Sequence, residues 1–172
     1  KLRYAAIACF VFIPLIWSSE KVKGLRLRAE LFQEICHMLT TVKMRLQFDN
    51  PTTGELISSL CREERLKRLG FLTACFDSLK GKGDSFHKMW EQAVRTDEMI
   101  KKYFPSADVN ALVSFGNTLG TTDTACQLEF REKCIGQFEE KRAAAISEKT
   151  RLGKMYITLG MAAAFTLLIL LI

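Results

Sequence analysis

The sequence predicts an all-α protein: a helical bundle anchored by an N-terminal and a C-terminal transmembrane helix. Three observations carry that expectation. Apolar residues gather at the two ends, almost all charge lies between them, and the central residues repeat apolar side chains at three- and four-residue steps rather than alternating as strands do. The chain has 172 residues, 48% hydrophobic and 26% charged, enough for one domain with a buried core once the end segments are set aside.

The C-terminal run from Met155 to Ile172 contains 18 residues without a charge. As a helix it would span roughly 27 Å, close to the ~30 Å hydrocarbon core of a bilayer. A core helix this apolar on every side would need a larger protein around it. The N-terminal segment, residues 2–19, holds 14 uncharged residues from Tyr4 to Trp17 and includes Pro14. Proline is tolerated in membrane helices, where neighbours re-satisfy freed backbone groups. A signal peptide is the competing reading, but no small-x-small cleavage site precedes Glu20 and Lys21. The expected division is therefore a transmembrane helix over 2–19, a cytoplasmic helical bundle over 20–154, and a transmembrane helix over 155–172.

Orientation follows from flanking cations. Lys21, Lys23, Arg26 and Arg28 follow the first span, and Lys149, Arg151 and Lys154 precede the second. The positive-inside bias places the central domain in the cytoplasm and both termini across the membrane. The same clusters suit anionic headgroups. No DNA-reading motif accompanies them, so no nucleic-acid partner is expected.

Between the spans, the first helix should run from about Glu20 to Phe48, with Phe32, Ile35, Leu39, Val42 and Leu46 on one face. Asp49-Asn50-Pro51 should end it. Thr52 and Glu55 fit a capping box for a helix carrying Leu56, Ile57 and Leu60. Residues 66–79 either continue that helix or form a second one broken at Gly70. Lys80-Gly81-Lys82-Gly83 reads as a turn, and Asp84 or Ser85 as the cap of a helix whose inner face holds Phe86, Met89, Trp90, Ala93 and Val94. A short helix is expected over 96–103, then one capped by Ser106 and carrying Val109, Leu112, Val113, Phe115 and Leu119. The last helix should run without a proline from about Asp123 to the end, with Cys126, Phe130, Cys134, Phe138 and Ala145 in one sector. The first and last long helices should pack antiparallel.

No catalytic constellation is visible, and no enzyme activity, metal or cofactor is expected. Cys36 and His37 are adjacent, and adjacent helical residues point about 100° apart. The glycine-rich turn lacks the phosphate-cradling frame. Glu63-Glu64 and Glu139-Glu140 are flanked by cations and read as solvated faces. The six cysteines, at 9, 36, 61, 75, 126 and 134, form no C-x-x-C pair and read as small hydrophobes. A zinc site from Cys36, His37, Cys61 or His87 would match no ligand spacing.

The segment from Phe115 to Gln127 is the most informative. Gly116 could admit a close neighbour, Gly120 could free the backbone to turn, and Asp123 could cap the next helix, with Gln127 one turn on. A structural corner explains all of this. Phe115, Gly116, Leu119, Gly120, Asp123 and Gln127 also reproduce an F-G-x-x-L-G-x-x-D-x-x-x-Q pattern. In this the sequence resembles the stage III sporulation protein AB family of endospore-forming bacteria. The resemblance extends through the Trp90 helix, Phe138-Glu139, Ala143, Lys154-Met155, Leu159-Gly160 and the N-terminal apolar segment. Asn117 departs from the glutamate common in the family, so no essential acid is expected there.

The resemblance implies a shortened relative of the helical cytoplasmic domains of F-type platform proteins in type II secretion and type IV pilus machines. It implies a place in the sporulation channel complex, in the mother-cell membrane that becomes the outer forespore membrane, with the central domain on the mother-cell side. The implied partners are the membrane, the secretion-type ATPase stage III sporulation protein AA and other stage III channel proteins; homo-oligomerisation stays open. The motif residues are then contact surface or fold-defining surface. A membrane-tethered sensor and an F-type platform of another secretion system are the alternative readings.

Overall fold

Between Glu20 and Phe48 the chain contains one glycine and no proline, and none of the residues from 125 to 171 is proline. Nothing in either stretch interrupts the backbone hydrogen-bond ladder, and each forms one long helix. The computed structural model describes residues 2–49, 51–79, 81, 85–119 and 125–171; the side chains of 2–12, 14, 125–127, 168, 170 and 171 lie outside that description. The elements are α1 (Leu2–Phe48), α2 (Thr53–Cys61), a 3-10 turn (Glu64–Leu66), α3 (Gly70–Leu79), α4 (Phe86–Thr96), α5 (Glu98–Tyr103), α6 (Ser106–Gly116) and α7 (Ala125–Leu171). The described residues contain no strand. α1 passes through Pro14 and ends where Asp49 and Pro51 were expected to stop it.

The chain forms two compact units, one from 1–30 with 143–172 and the other from 31–142. In the first unit the opening of α1 and the end of α7 run antiparallel. The Ser18 hydroxyl donates to the Tyr156 carbonyl at 2.6 Å, and Arg28 meets Glu148 at 2.9 Å. Ser18, Gly160 and Ala164 are buried, small residues of the kind that allows close helix contact. Outward stand Ile13, Ile16, Trp17, Ile157, Leu159, Phe165 and Ile169, from 48% to 77% exposed, an apolar surface laid bare to its surroundings. Among the described residues, no helix is long and apolar enough to cross a membrane. The expected spans, 2–19 and 155–172, both include side chains outside the description.

The second unit is a helical bundle built around α1. Leu31, Phe32, Ile35, Cys36, Met38, Leu39 and Val42 are all buried, over roughly 160° of the helix at 100° per residue. The stripe is wider than the expected five-residue face because α1 is covered from two sides. Phe32 meets Phe138 of α7 at 6.3 Å between ring centroids, and His37 and Glu34 reach Glu63 and Arg68 around the 3-10 turn. Leu46, expected inside, is only half-buried. Each fully buried Leu, Ile or Phe contributes about 1.5–3 kcal/mol relative to exposure.

The capping box forms as expected. The Thr52 hydroxyl accepts from the Glu55 N–H at 3.4 Å, and the Glu55 carboxylate accepts from the Thr52 N–H at 3.0 Å. The Thr52 N–H, helped by the Thr52 hydroxyl donating to the same carboxylate at 2.8 Å, holds the Glu55 carboxyl below its ordinary pKa. Residues 66–79 do not continue α2: a 3-10 turn intervenes and α3 opens at Gly70. Ser85 precedes α4 without a side-chain cap bond, and Asp84 lies outside the described residues, as do Lys80, Lys82 and Gly83. Ser106 is not the cap of α6. Pro105 holds that position with the extended, non-helical backbone of an N-cap, and Ser106 is the first helical residue.

Candidate functional site

The corner that follows α6 is organised by one indole. Trp90 of α4 is fully buried, and its Nε1–H donates to the Leu112 carbonyl of α6 at 3.0 Å, which supplies the partner a buried indole needs. Phe71 of α3 meets the indole edge-on at 5.3 Å, and Phe86 lies 5.9 Å away on the same helix as Trp90. Gly116 lies against the remaining edge of the ring. A Cβ built there would stand 2.1 Å from both Cδ1 and Nε1, a separation no real side chain tolerates. The glycine is required by close approach, as the sequence reading allowed.

Phe115 and Leu119 are buried beside it, 0% and 1% exposed. The turn after α6 closes with Thr118 N–H on the Phe115 carbonyl and Leu119 N–H on the Gly116 carbonyl, both at 3.0 Å; the Thr118 hydroxyl also donates to Phe115 at 2.7 Å. Thus Phe115, Gly116 and Leu119 converge inward, on the packing of α4 against α6. Asn117 is exposed. Gly120 and Asp123 lie outside the described residues; Gln127 falls in the first turn of α7, and its side chain is outside the description.

Three polar groups that the sequence reading passed over hold the surrounding elements. Asp97 caps two helices at once. One carboxylate oxygen accepts from Met99 N–H at 2.9 Å and Ile100 N–H at 3.0 Å at the start of α5; the other accepts from Phe71 N–H at 2.8 Å at the start of α3. The signal was an Asp directly before a short helix, an N-cap pattern, though its second role depends on tertiary placement. Asp108 of α6, 4% exposed, pairs with Lys141 of α7, whose ammonium also lies 5.8 Å from the Phe138 ring centre. Arg131 is buried at 1% exposed, while Phe130, expected inside, is 40% exposed. The inner face of α7 is therefore Arg131, Cys134, Phe138 and Ala145; the Cys126 side chain lies outside the description.

The chemistry-bearing residues do not assemble. Cys36 is buried in the core, and burial pushes its thiol up to about 11; His37 points instead to Glu63. Burial likewise pushes Cys75 and Cys134 to about 11. Glu63 is half-buried rather than solvated, because His37 meets it; Glu64 is exposed and pairs with Lys67. Among the described residues, no group of three or more His, Cys, Asp or Glu could hold a metal ion. A shallow cleft of about 340 Å³ opens between α4, α5 and α6, lined by Val94, Arg95, Lys101, Phe104, Ser106 and Val109. Arg95 is tied there to Glu91 at 2.8 Å and Asn110 at 3.1 Å.

The family described as stage III sporulation protein AB matches residues 3–172. The chain belongs to this family. The match covers the apolar ends, the bundle and the corner together, so the resemblance carried by the Phe115–Gln127 pattern holds for the chain as a whole. Curated proteins and solved structures yielded no match.

Proposed function

We propose that the protein is a non-enzymatic, membrane-anchored platform or assembly component of the sporulation channel between mother cell and forespore. In this reading α1 and α7 anchor the chain in the mother-cell membrane, with the bundle on the mother-cell side and both termini across the membrane. The bundle docks the secretion-type ATPase stage III sporulation protein AA, alone or with other stage III channel proteins. It either transmits ATPase motion or serves as a fixed base for assembly.

The observation that carries the proposal is the first unit, whose outward residues at both ends of the chain are large and apolar in a protein of a sporulation family. Exposed apolar surface of that extent is costly in water and favourable in lipid. The convergence of buried polar groups on packing and capping, rather than on a shared cavity, fits a mechanical role better than a catalytic one.

An in-frame deletion, followed by microscopy through spore development, tests the reading. Engulfed forespores that collapse or stall support it; normal mature spores overturn it. Co-purification of the ATPase with the full chain in detergent tests the docking separately. A second reading, ligand sensing, rests on the cleft beside Arg95 and Lys101, which is at the small end of ligand sites. It predicts that a small anion raises the thermal stability of the full chain.

A further inference from the structure

Where the apolar surface of the first unit ends, two aromatic side chains meet. Trp17 and Tyr156 pack edge-to-face with ring centres 5.8 Å apart, and the Lys21 ammonium lies 5.5 Å from the Trp17 ring centre. Such rings settle at the level of lipid headgroups, with their apolar bodies toward the acyl chains. The bond from Ser18 to the Tyr156 carbonyl sets residues 18 and 156 at one level; along the helices Lys21 and Lys154 then lie within about 5 Å of the aromatic pair, Arg151 about 8 Å and Lys149 about 11 Å from it.

From Trp17 to Glu30 and from Ala143 to Tyr156 the two helices form a band that holds seven cations against three carboxylates. The carboxylates are all engaged: Glu20 by Lys23, Glu30 by Arg26, and Glu148 by Arg28. Lys21, Lys149, Arg151 and Lys154 are exposed, and among the described residues none has a carboxylate partner. Four uncompensated cations within about 11 Å of the aromatic level, on a pair of helices whose next turns are apolar, present a charge that only anions of the surroundings can neutralise.

We propose that this band binds the phosphate groups of anionic phospholipids and enriches such lipids around the protein. The inference rests on the membrane-anchored reading. Lys21, stacked on Trp17, holds its charge at the aromatic level; Lys154 stands beside that level on α7, and Arg151 and Lys149 follow one to two turns farther from it. Each cation near an anionic surface adds to the attraction, and salt screens it.

Trp17 is a built-in reporter. The full chain is reconstituted in vesicles of equal phosphatidylcholine and phosphatidylglycerol, with brominated acyl chains on one lipid or the other, and a Trp17→Phe chain supplies the Trp90 background. Brominated phosphatidylglycerol should quench Trp17 about two-fold more than brominated phosphatidylcholine, and ~0.5 M chloride or the combined K21Q, K149Q, R151Q and K154Q substitutions should equalise the two. Equal quenching by both lipids in the unaltered chain overturns the proposal but leaves the anchoring intact. No quenching by either overturns the anchoring reading itself. If inorganic phosphate removes the preference where chloride of the same ionic strength does not, the band is a site for free phosphate and the lipid assignment fails.

Discussion

A methyl group at Gly116 would overlap the Trp90 indole, so Gly116→Ala forces either α4 away from α6 or the ring out of its seat. The expected cost is about 2–3 kcal/mol in chemical denaturation followed by circular dichroism. In a Trp90→Leu background the obstruction is gone, and the same substitution should cost at least ~1 kcal/mol less. Equal costs in the two backgrounds would show that the contact does not set the requirement for glycine. The buried thiols make a second expectation. With pKa near 11, about one in a thousand molecules carries Cys36, Cys75 or Cys134 as thiolate at pH 8. Iodoacetamide should reach half-exposed Cys61 first, and labelling of the other three should quicken as pH rises toward 11. If Cys75 reacts as fast as Cys61 at pH 8, its burial is wrong. The folded-state pKa values lie above the ordinary 9.0, so neutral thiols favour the fold below pH 9 and that contribution is lost as pH climbs toward 11.

Asp97 acts at the scale of elements, since a single carboxylate serves the starts of α3 and α5. Asp97→Ala strands three helix-end N–H groups and should cost about 2–3 kcal/mol. Hydrogen exchange at Phe71, Met99 and Ile100 should accelerate while the amides of α7 keep their protection. A loss under about 0.5 kcal/mol would mean that other groups cap these helices. The helices themselves were legible because their signals are local. Pro51 stops α1, the Thr52–Glu55 pair caps α2, and apolar spacing marks α4 and α6. What escaped was set by packing between distant elements. Nothing near Asp97 in the sequence points to Phe71. Nothing beside Arg131 says it will be buried while Phe130 faces out, since periodicity alone places both near one sector. At the corner, the glycine was legible as a close approach, but its neighbour lay 26 positions away in Trp90.

For the whole molecule, the proposed anchoring by both chain ends predicts one sidedness. In a chain with Cys61 as its sole cysteine, produced during vegetative growth, a membrane-impermeant maleimide should label only after permeabilisation. A cysteine introduced at position 1 should label in intact cells. Labelling of Cys61 from outside would overturn the cytoplasmic placement of the bundle. The first unit also has a history written into its connectivity. One of its halves is made well before the other, and Ser18 lies 138 residues before the carbonyl it bonds. At about 5–20 residues per second, the ribosome takes roughly 7–28 s to bridge that interval. For that time the opening helix has been synthesised and its mate has not, so whatever receives it from the ribosome must shelter a solitary apolar segment. Any chain cut short before residue 143 is permanently bereft of that mate.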